Sequence, residues 1–305
     1  MVVDVFMQVL LPILVVVGAG YVLRKLVRLE LQSVNRVSIY LLSPALIFSS
    51  LAKMRTGSSQ AFKIVTFMVL LVAVLGAASW LGGRLTGQER NTTAALMLCT
   101  MFMNTGNYGL PLARFAFGER GFEQAVVFFV AQSVLAQTLA VYIAGSGGGG
   151  WREGFRRLIR MPQIYAVSGG LALREVGVPT AGVGADLMRG VNLLAEATIP
   201  LLLVILGMQL AETRAITGGA QVALATFMRL VLSVPLALLL AHLLAMPPLT
   251  TRLAVILASM PTAVNMTIIS IEFGVRPKLV SSAVVVSTVA SFVTLTALLA
   301  FLGVG

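Results

Sequence analysis

Charge is scarce in this chain of 305 residues: Asp, Glu, Lys and Arg together make up 11%, where a soluble domain carries roughly a quarter. With 58% hydrophobic residues, it cannot be a water-soluble globule, so soluble enzymes and binding modules are excluded. Histidine occurs once, at His242, and cysteine once, at Cys99. That excludes a disulfide framework and a Cys/His metal cluster, and Cys99, inside an apolar run, reads as inert packing. There is no H-E-x-x-H pair and no Walker-type phosphate loop, so an intramembrane metalloenzyme and a nucleotide-driven pump lack their chemistry. The expectation is a protein that is not an enzyme and carries no metal or cofactor.

What the chain has instead is apolar runs of bilayer length. No ionisable residue falls within Val5 to Leu23, Ile64 to Gly83, Asn91 to Ala113, Gln124 to Ala144, Leu253 to Ile271 or Leu279 to Val304. A helix needs roughly 20 apolar residues to cross about 30 Å of hydrocarbon, and these six runs supply them. Val37 to Ala52 and Met161 to Leu173 are shorter but bracketed by basic residues. Gly190 to Ala211 contains Glu196, and Gln221 to Leu244 contains Arg229 and His242. Ten transmembrane helices are expected.

The formal charge of +11 would suggest a nucleic-acid partner in a soluble protein. Here the Lys and Arg residues sit almost wholly in short loops, where they set topology, and no nucleic acid is expected. With ten crossings both termini share one side, whose loops hold Lys53, Arg55, Lys63, Arg114, Arg120, Arg174, Arg189 and Arg252. Of the other fourteen basic residues, Arg229 falls inside a run and the rest lie in the opposite loops, which should face the cytoplasm. Both termini are then on the outer face, and the connection from Gly145 to Met161 is inside. The first run begins with Asp4 instead of a basic segment and is long enough to remain as a helix, not a cleaved signal peptide.

The two halves of the chain echo each other. Pro12 and Pro162 each lie twelve residues before an arginine, Arg24 and Arg174. Val34-Asn35 precedes Pro44 as Val191-Asn192 precedes Pro200, and Phe117-Gly118 matches Phe273-Gly274, at offsets of 156 to 157. Residues 1–144 read as one five-helix repeat and residues 162–305 as a second. Residues 145–161 form a Gly-rich, basic cytoplasmic linker with an interfacial helix, to which we give no substrate role. An odd number of crossings per repeat inverts the second copy, an arrangement found in secondary transporters.

Two runs are interrupted at their centres. The fourth holds Asn104-Thr105-Gly106-Asn107-Tyr108-Gly109-Leu110-Pro111, and the ninth Met260-Pro261-Thr262-Ala263-Val264-Asn265-Met266. Proline removes a backbone donor and glycine permits extended chain, and such backbone survives in a bilayer only inside protein or along a wet cavity. Paired discontinuous helices mark a transporter's binding site. Their half-helix N-termini suit an organic anion, a carboxylate above all. Asn104, Thr105, Asn107, Thr262 and Asn265 add neutral hydrogen-bonding groups; Tyr108, Met260 and Met266 either wall the site or simply pack. Gln132, Ser133 and Gln137 in the fifth run either face the crossing or join helices together.

These residues also carry a family resemblance. Asn104-Thr105-x-x-x-Gly109-Leu110-Pro111 and Pro261, with Pro12, Gly18, Gly20, Tyr21, Asn35, Ser43-Pro44-Ala45-Leu46 and Phe48, resemble the auxin efflux carrier family, relatives of plant auxin exporters and malonate permeases. The resemblance spans nearly the whole chain. It implies a bacterial inner-membrane member with the ten-helix fold of bile acid sodium symporters. Helices one, two, six and seven would form a scaffold, through which a homodimer assembles in the lipid. Helices three to five and eight to ten would form a transport domain moving as an elevator. It also implies substrate at the crossing of helices four and nine, with Asn104 in contact; Ile47 stands where plant members have a serine, which argues against auxin itself.

Glu196, an acidic residue inside an apolar run, is the candidate for carrying a coupling proton, or it pairs with Arg189 near the outer face. Glu272 and His242 sit near run ends, and Arg229 either snorkels or pairs. The expected function is a secondary transporter of a small organic anion, coupled to protons, to sodium or to neither. A sodium-coupled bile-acid-type symporter is the nearest alternative, and a channel a further one, though no charged ring is visible.

Overall fold

The computed structural model describes residues 2–27, 29–145, 150–212 and 216–304, the side chains of 150–153 excepted. The described chain is almost wholly helical. The helices are α1 (Val2–Leu26), α2 (Leu31–Ala52), α3 (Ser58–Leu85), α4 (Arg90–Met101), α5 (Thr105–Ala144) and α6 (Gly150–Arg160). There follow α7 (Pro162–Val176), α8 (Gly182–Glu212), α9 (Gly219–Leu243), α10 (Pro248–Ala258), α11 (Asn265–Glu272) and α12 (Pro277–Phe301). Seven of them, α1, α2, α3, α5, α8, α9 and α12, are long and apolar enough to cross a membrane. Helix is what such a chain must adopt, because lipid offers nothing to an unpaired backbone group.

Local sequence accounts for the irregularities. Pro12, Pro44, Pro111 and Pro235 each follow a π-helical turn, at Phe6–Leu10, Ser38–Leu42, Thr105–Gly109 and Met228–Leu232. A proline ring clashes with the carbonyl four residues earlier, and widening the preceding turn relieves the clash. Within α5, Gly118 leaves the helical region (φ 62°, ψ −162°) and separates residues 105–117 from 119–144. That left-handed φ suits glycine.

Two packed groups of helices emerge. In the first, α8 lies along α1 and α2, and α7 lies against α2. The α1–α8 contact is backbone to backbone: a Cβ at Gly207 would collide with the Val17 carbonyl oxygen, and one at Gly20 with that of Val204. Small residues let helices approach this closely in a membrane, where association is driven by dispersion and hydrogen bonding more than by the hydrophobic effect. In the second, α3 packs on α4 and α5, and α9 on α10 and α12. Phe67 of α3 meets Phe128 of α5 edge to face at 5.9 Å.

Candidate functional site

Helix α4 stops at Met101 and α10 at Ala258, and where both chains become irregular they cross. The Asn104 amide donates to the Pro261 carbonyl oxygen at 2.8 Å, and the Ala263 amide donates to that of Phe102, also at 2.8 Å. Met103 and Thr262 form an isolated antiparallel bridge between them. The Thr262 hydroxyl donates to the Cys99 carbonyl at 2.8 Å, and its amide donates to Ser287 Oγ at 3.1 Å. Each break thereby satisfies the backbone groups that the other exposes.

Helix resumes at Thr105 and at Asn265. Asn104 Oδ1 accepts the Asn107 amide at 3.2 Å, capping the first turn of α5, while its carbonyl accepts the Gly109 amide at 3.0 Å. Glycine at 109 lets this turn pack closely on α10, since a Cβ there would lie 2.9 Å from Leu257 Cδ2 and that side chain would have to shift.

Both new helix starts open onto one cavity of about 350 Å³. Thr105, Gly106 and Asn107 line it from α5, with Met103 and Asn104 just before; Ala263, Val264, Asn265 and Met266 line it from the other break. Helix α2 contributes Asn35, Ser38 and Ser43, and the far arm of α5 contributes Gln132, Ser133 and Gln137. Three amide side chains in this wall are at least nine-tenths buried with open hydrogen-bonding capacity. They are Asn104 at Nδ2, Gln132 at both ends and Gln163 at Oε1. Each unmet buried polar group costs about 1–3 kcal/mol, so a wall carrying several is shaped for something polar to fill it.

The linker also reaches this cavity. Arg157, Arg160 and Met161 line it beside Gln163, because α6 packs against Ala136–Ala140 of α5. Arg157 Nη1 donates to Glu272 Oε2 at 2.9 Å, its Nη2 bonds Oε1 of the same carboxylate, and the guanidinium lies 5.5 Å from the Phe273 ring centroid. Sequence reading gave the linker no part in the site; the i, i+3 spacing of Arg157 and Arg160 on a basic amphipathic helix was the available signal.

Other sequence candidates lie behind the wall. Tyr108 is fully buried and packs on Phe292 at 5.6 Å between centroids. Gly109, Pro111, Met260, Pro261 and Thr262 shape the crossing without lining the cavity. Ile47 is buried beside Val130 and Leu158 around a separate small void. Glu196 is on the exposed face of α8, away from the cavity, and Arg189 pairs with Asp186. Asn35, Ser38 and Ser43 escaped assignment as site residues; the extra residue of the π turn at Ser38–Leu42 keeps all three on the cavity wall.

A second cavity, of about 670 Å³, adjoins the first and shares Asn35 and Val264 with it. It runs between α1, α2 and α8 on one side and α11 and α12 on the other, past the Arg24–Glu212 ion pair (2.8 Å) and Lys278. At the opposite end of the helices, Ser49 Oγ and Lys53 Nζ both donate to Asn192 Oδ1 at 2.7 Å, and the Arg55 amide donates to Glu123 at 3.2 Å. These bonds tie the helix ends together there.

The chain matches the family described as "Membrane transport protein" over residues 5–150 and 152–299. An "Uncharacterized transporter" of Methanothermobacter thermautotrophicus is 27% identical over 292 residues, covering 94% of this chain and 95% of that relative. Another, of Methanocaldococcus jannaschii, is 24% identical over 299 residues, covering 95% and 96%. A "Putative malonate transporter" of Rhizobium meliloti is 27% identical over 305 residues, covering 95% and 93%. Paired broken helices, a polar cavity at their crossing and a match along nearly the whole length agree: the chain is a multi-pass integral membrane protein and belongs to the membrane transport protein family, that of the auxin efflux carriers.

Proposed function

We propose that this protein carries a small organic anion, with a carboxylate bound at the crossing of the two broken helices. One observation supports this above the others. The first turns of α5 and α11, the buried amides of Asn104, Gln132 and Gln163, and the cations Arg157 and Arg160 converge on one cavity. Its volume falls at the small end of ligand pockets, roughly 300–1,000 Å³. Free amide donors and partial positive charge at the two helix starts favour a carboxylate, and the malonate named for the Rhizobium relative belongs to that class.

In this reading α4 with residues 105–117, and α10 with α11, each make one interrupted crossing, and α7 makes a short one. That gives ten crossings in two inverted halves, with both termini outside the inner membrane and the linker in the cytoplasm. The glycine-locked group of α1, α2, α7 and α8 serves as scaffold and dimer surface. The remaining helices move as an elevator. The cavities reach toward Arg24, Lys278 and the linker, while the far end is tied at Asn192 and Glu123, as in an inward-facing state.

The test is uptake of small carboxylates, malonate first, into proteoliposomes, with and without sodium and a pH gradient. Saturable uptake, lost in Asn104→Ala and Asn265→Ala, is expected. Unsaturable conductance, or wild-type uptake by both variants, would overturn the assignment.

A further inference from the structure

Arg229 is fully buried, and no Asp or Glu accompanies it among the buried described residues. It stands on the π-helical turn of α9, behind the crossing and outside the cavity lining. Its Nη1 donates to the Thr100 carbonyl oxygen at 2.5 Å, and its Nη2 donates to that of Ala258. Those carbonyls belong to the last turns of α4 and α10, the two helices that stop at the crossing.

The charges balance. Each helix C-terminus carries roughly −0.5 elementary charge, so the two together match one guanidinium. A buried cation is costly unless paired, and here Nη1 and Nη2 are paired with two helix ends instead of a carboxylate, while Nε has no hydrogen-bond partner. The neighbouring terminal carbonyls of α4 are also satisfied, Cys99 by the Thr262 hydroxyl and Phe102 by the Ala263 amide. At the two helix starts on the cavity side, Asn104 caps α5 as a neutral amide, and no carboxylate stands among the described residues of the cavity lining.

We propose that Arg229 is the fixed counter-charge of the crossing: a positioning residue that does, as part of the chain, what a bound monovalent cation would otherwise do between the two helix ends. The crossing is then assembled without sodium, and its N-terminal faces stay free for an anion. This rests on the reading of the crossing as the anion site, but its test needs no substrate.

Hydrogen exchange of peptides spanning the Asn104 and Ala263 amides is followed in detergent-purified protein, in sodium and in choline chloride at equal ionic strength. Wild-type protection should be the same in both salts. In Arg229→Met, which fills the space without charge, exchange in choline should rise by about tenfold or more and fall again with sodium or guanidinium. Arg229→Lys should stay near wild type. Sodium-dependent protection in the wild type overturns the proposal, as does wild-type protection in the methionine variant. Should that variant fail to fold, the wild-type salt comparison decides alone. Loss of anion uptake with these exchange results intact would count against the transport reading only.

Discussion

Arg157 and Glu272 are joined by a bidentate ion pair, 2.9 Å at its Nη1–Oε2 contact, that fastens the linker helix α6 to the end of α11. The same α11 begins with Asn265 and Met266 in the cavity wall. One short helix therefore connects the linker to the candidate site, and the linker forms part of the cavity's wall.

Breaking this pair should open that wall with little effect on stability. Both side chains are partly exposed, at 28% and 46%, and such pairs contribute about 0–1 kcal/mol. In Glu272→Gln, a cysteine placed at Asn265 should react several-fold faster with a water-soluble thiol reagent added from the linker side. Cys99 is buried and should give little background. Unchanged labelling would show that the pair does not restrain the wall.

Asn104 caps α5 with one side-chain atom and leaves the other open to the cavity. Asn104→Ala removes both, and anion binding should weaken by about 1–3 kcal/mol, roughly fivefold to 150-fold. Asn104→Asp keeps the cap but sets a negative charge where an anion would lie, and should be worse for binding than alanine. Isothermal titration with malonate and uptake kinetics compare the two variants.

Gln132 has both ends of its amide unpartnered at 4% exposure. Replacing an unsatisfied buried polar group with an apolar one of similar size relieves desolvation, so Gln132→Leu should stabilise the fold by about 1 kcal/mol. The same change should lower uptake. A higher melting temperature together with lower transport identifies a side chain kept for function; a variant that loses stability would place Gln132 among the packing residues.

Gly207 should tolerate no larger side chain. Its neighbour is the α1 backbone, which cannot rotate aside as a side chain can. Gly207→Leu should cost roughly 3 kcal/mol by overpacking, while leucine at Gly190, which has open space around it, should be nearly neutral. Fluorescence size-exclusion profiles after graded heating separate the two.

The features legible in the sequence were those with a strong local cause. Pro111 and Pro261 announced the breaks, and Asn104, Thr105, Asn107 and Asn265 stand in or beside the cavity as their neighbourhood suggested. The pairing of Asn104 with Pro261 across 157 positions was not legible, because a backbone hydrogen bond leaves no mark on residue type. Arg157 and Arg160 were read as part of an interfacial linker helix with no substrate role for a related reason: composition gives their number and spacing but not the direction in which a helix folds back. Glu196 drew attention by its charge alone. Its exposure depends on how α8 is rotated, which the packing of Gly207 on α1 sets from about three turns away.

The reciprocal hydrogen bonds between Phe102–Asn104 and Pro261–Ala263 have a kinetic consequence. In the proposed elevator, a crossing fastened by backbone bonds moves as one rigid body and need not be rebuilt at each end. A new substrate on such a frame calls for changes in the lining side chains, Gln132 on the moving side and Asn35 or Gln163 on the scaffold side, with the crossing left as it is.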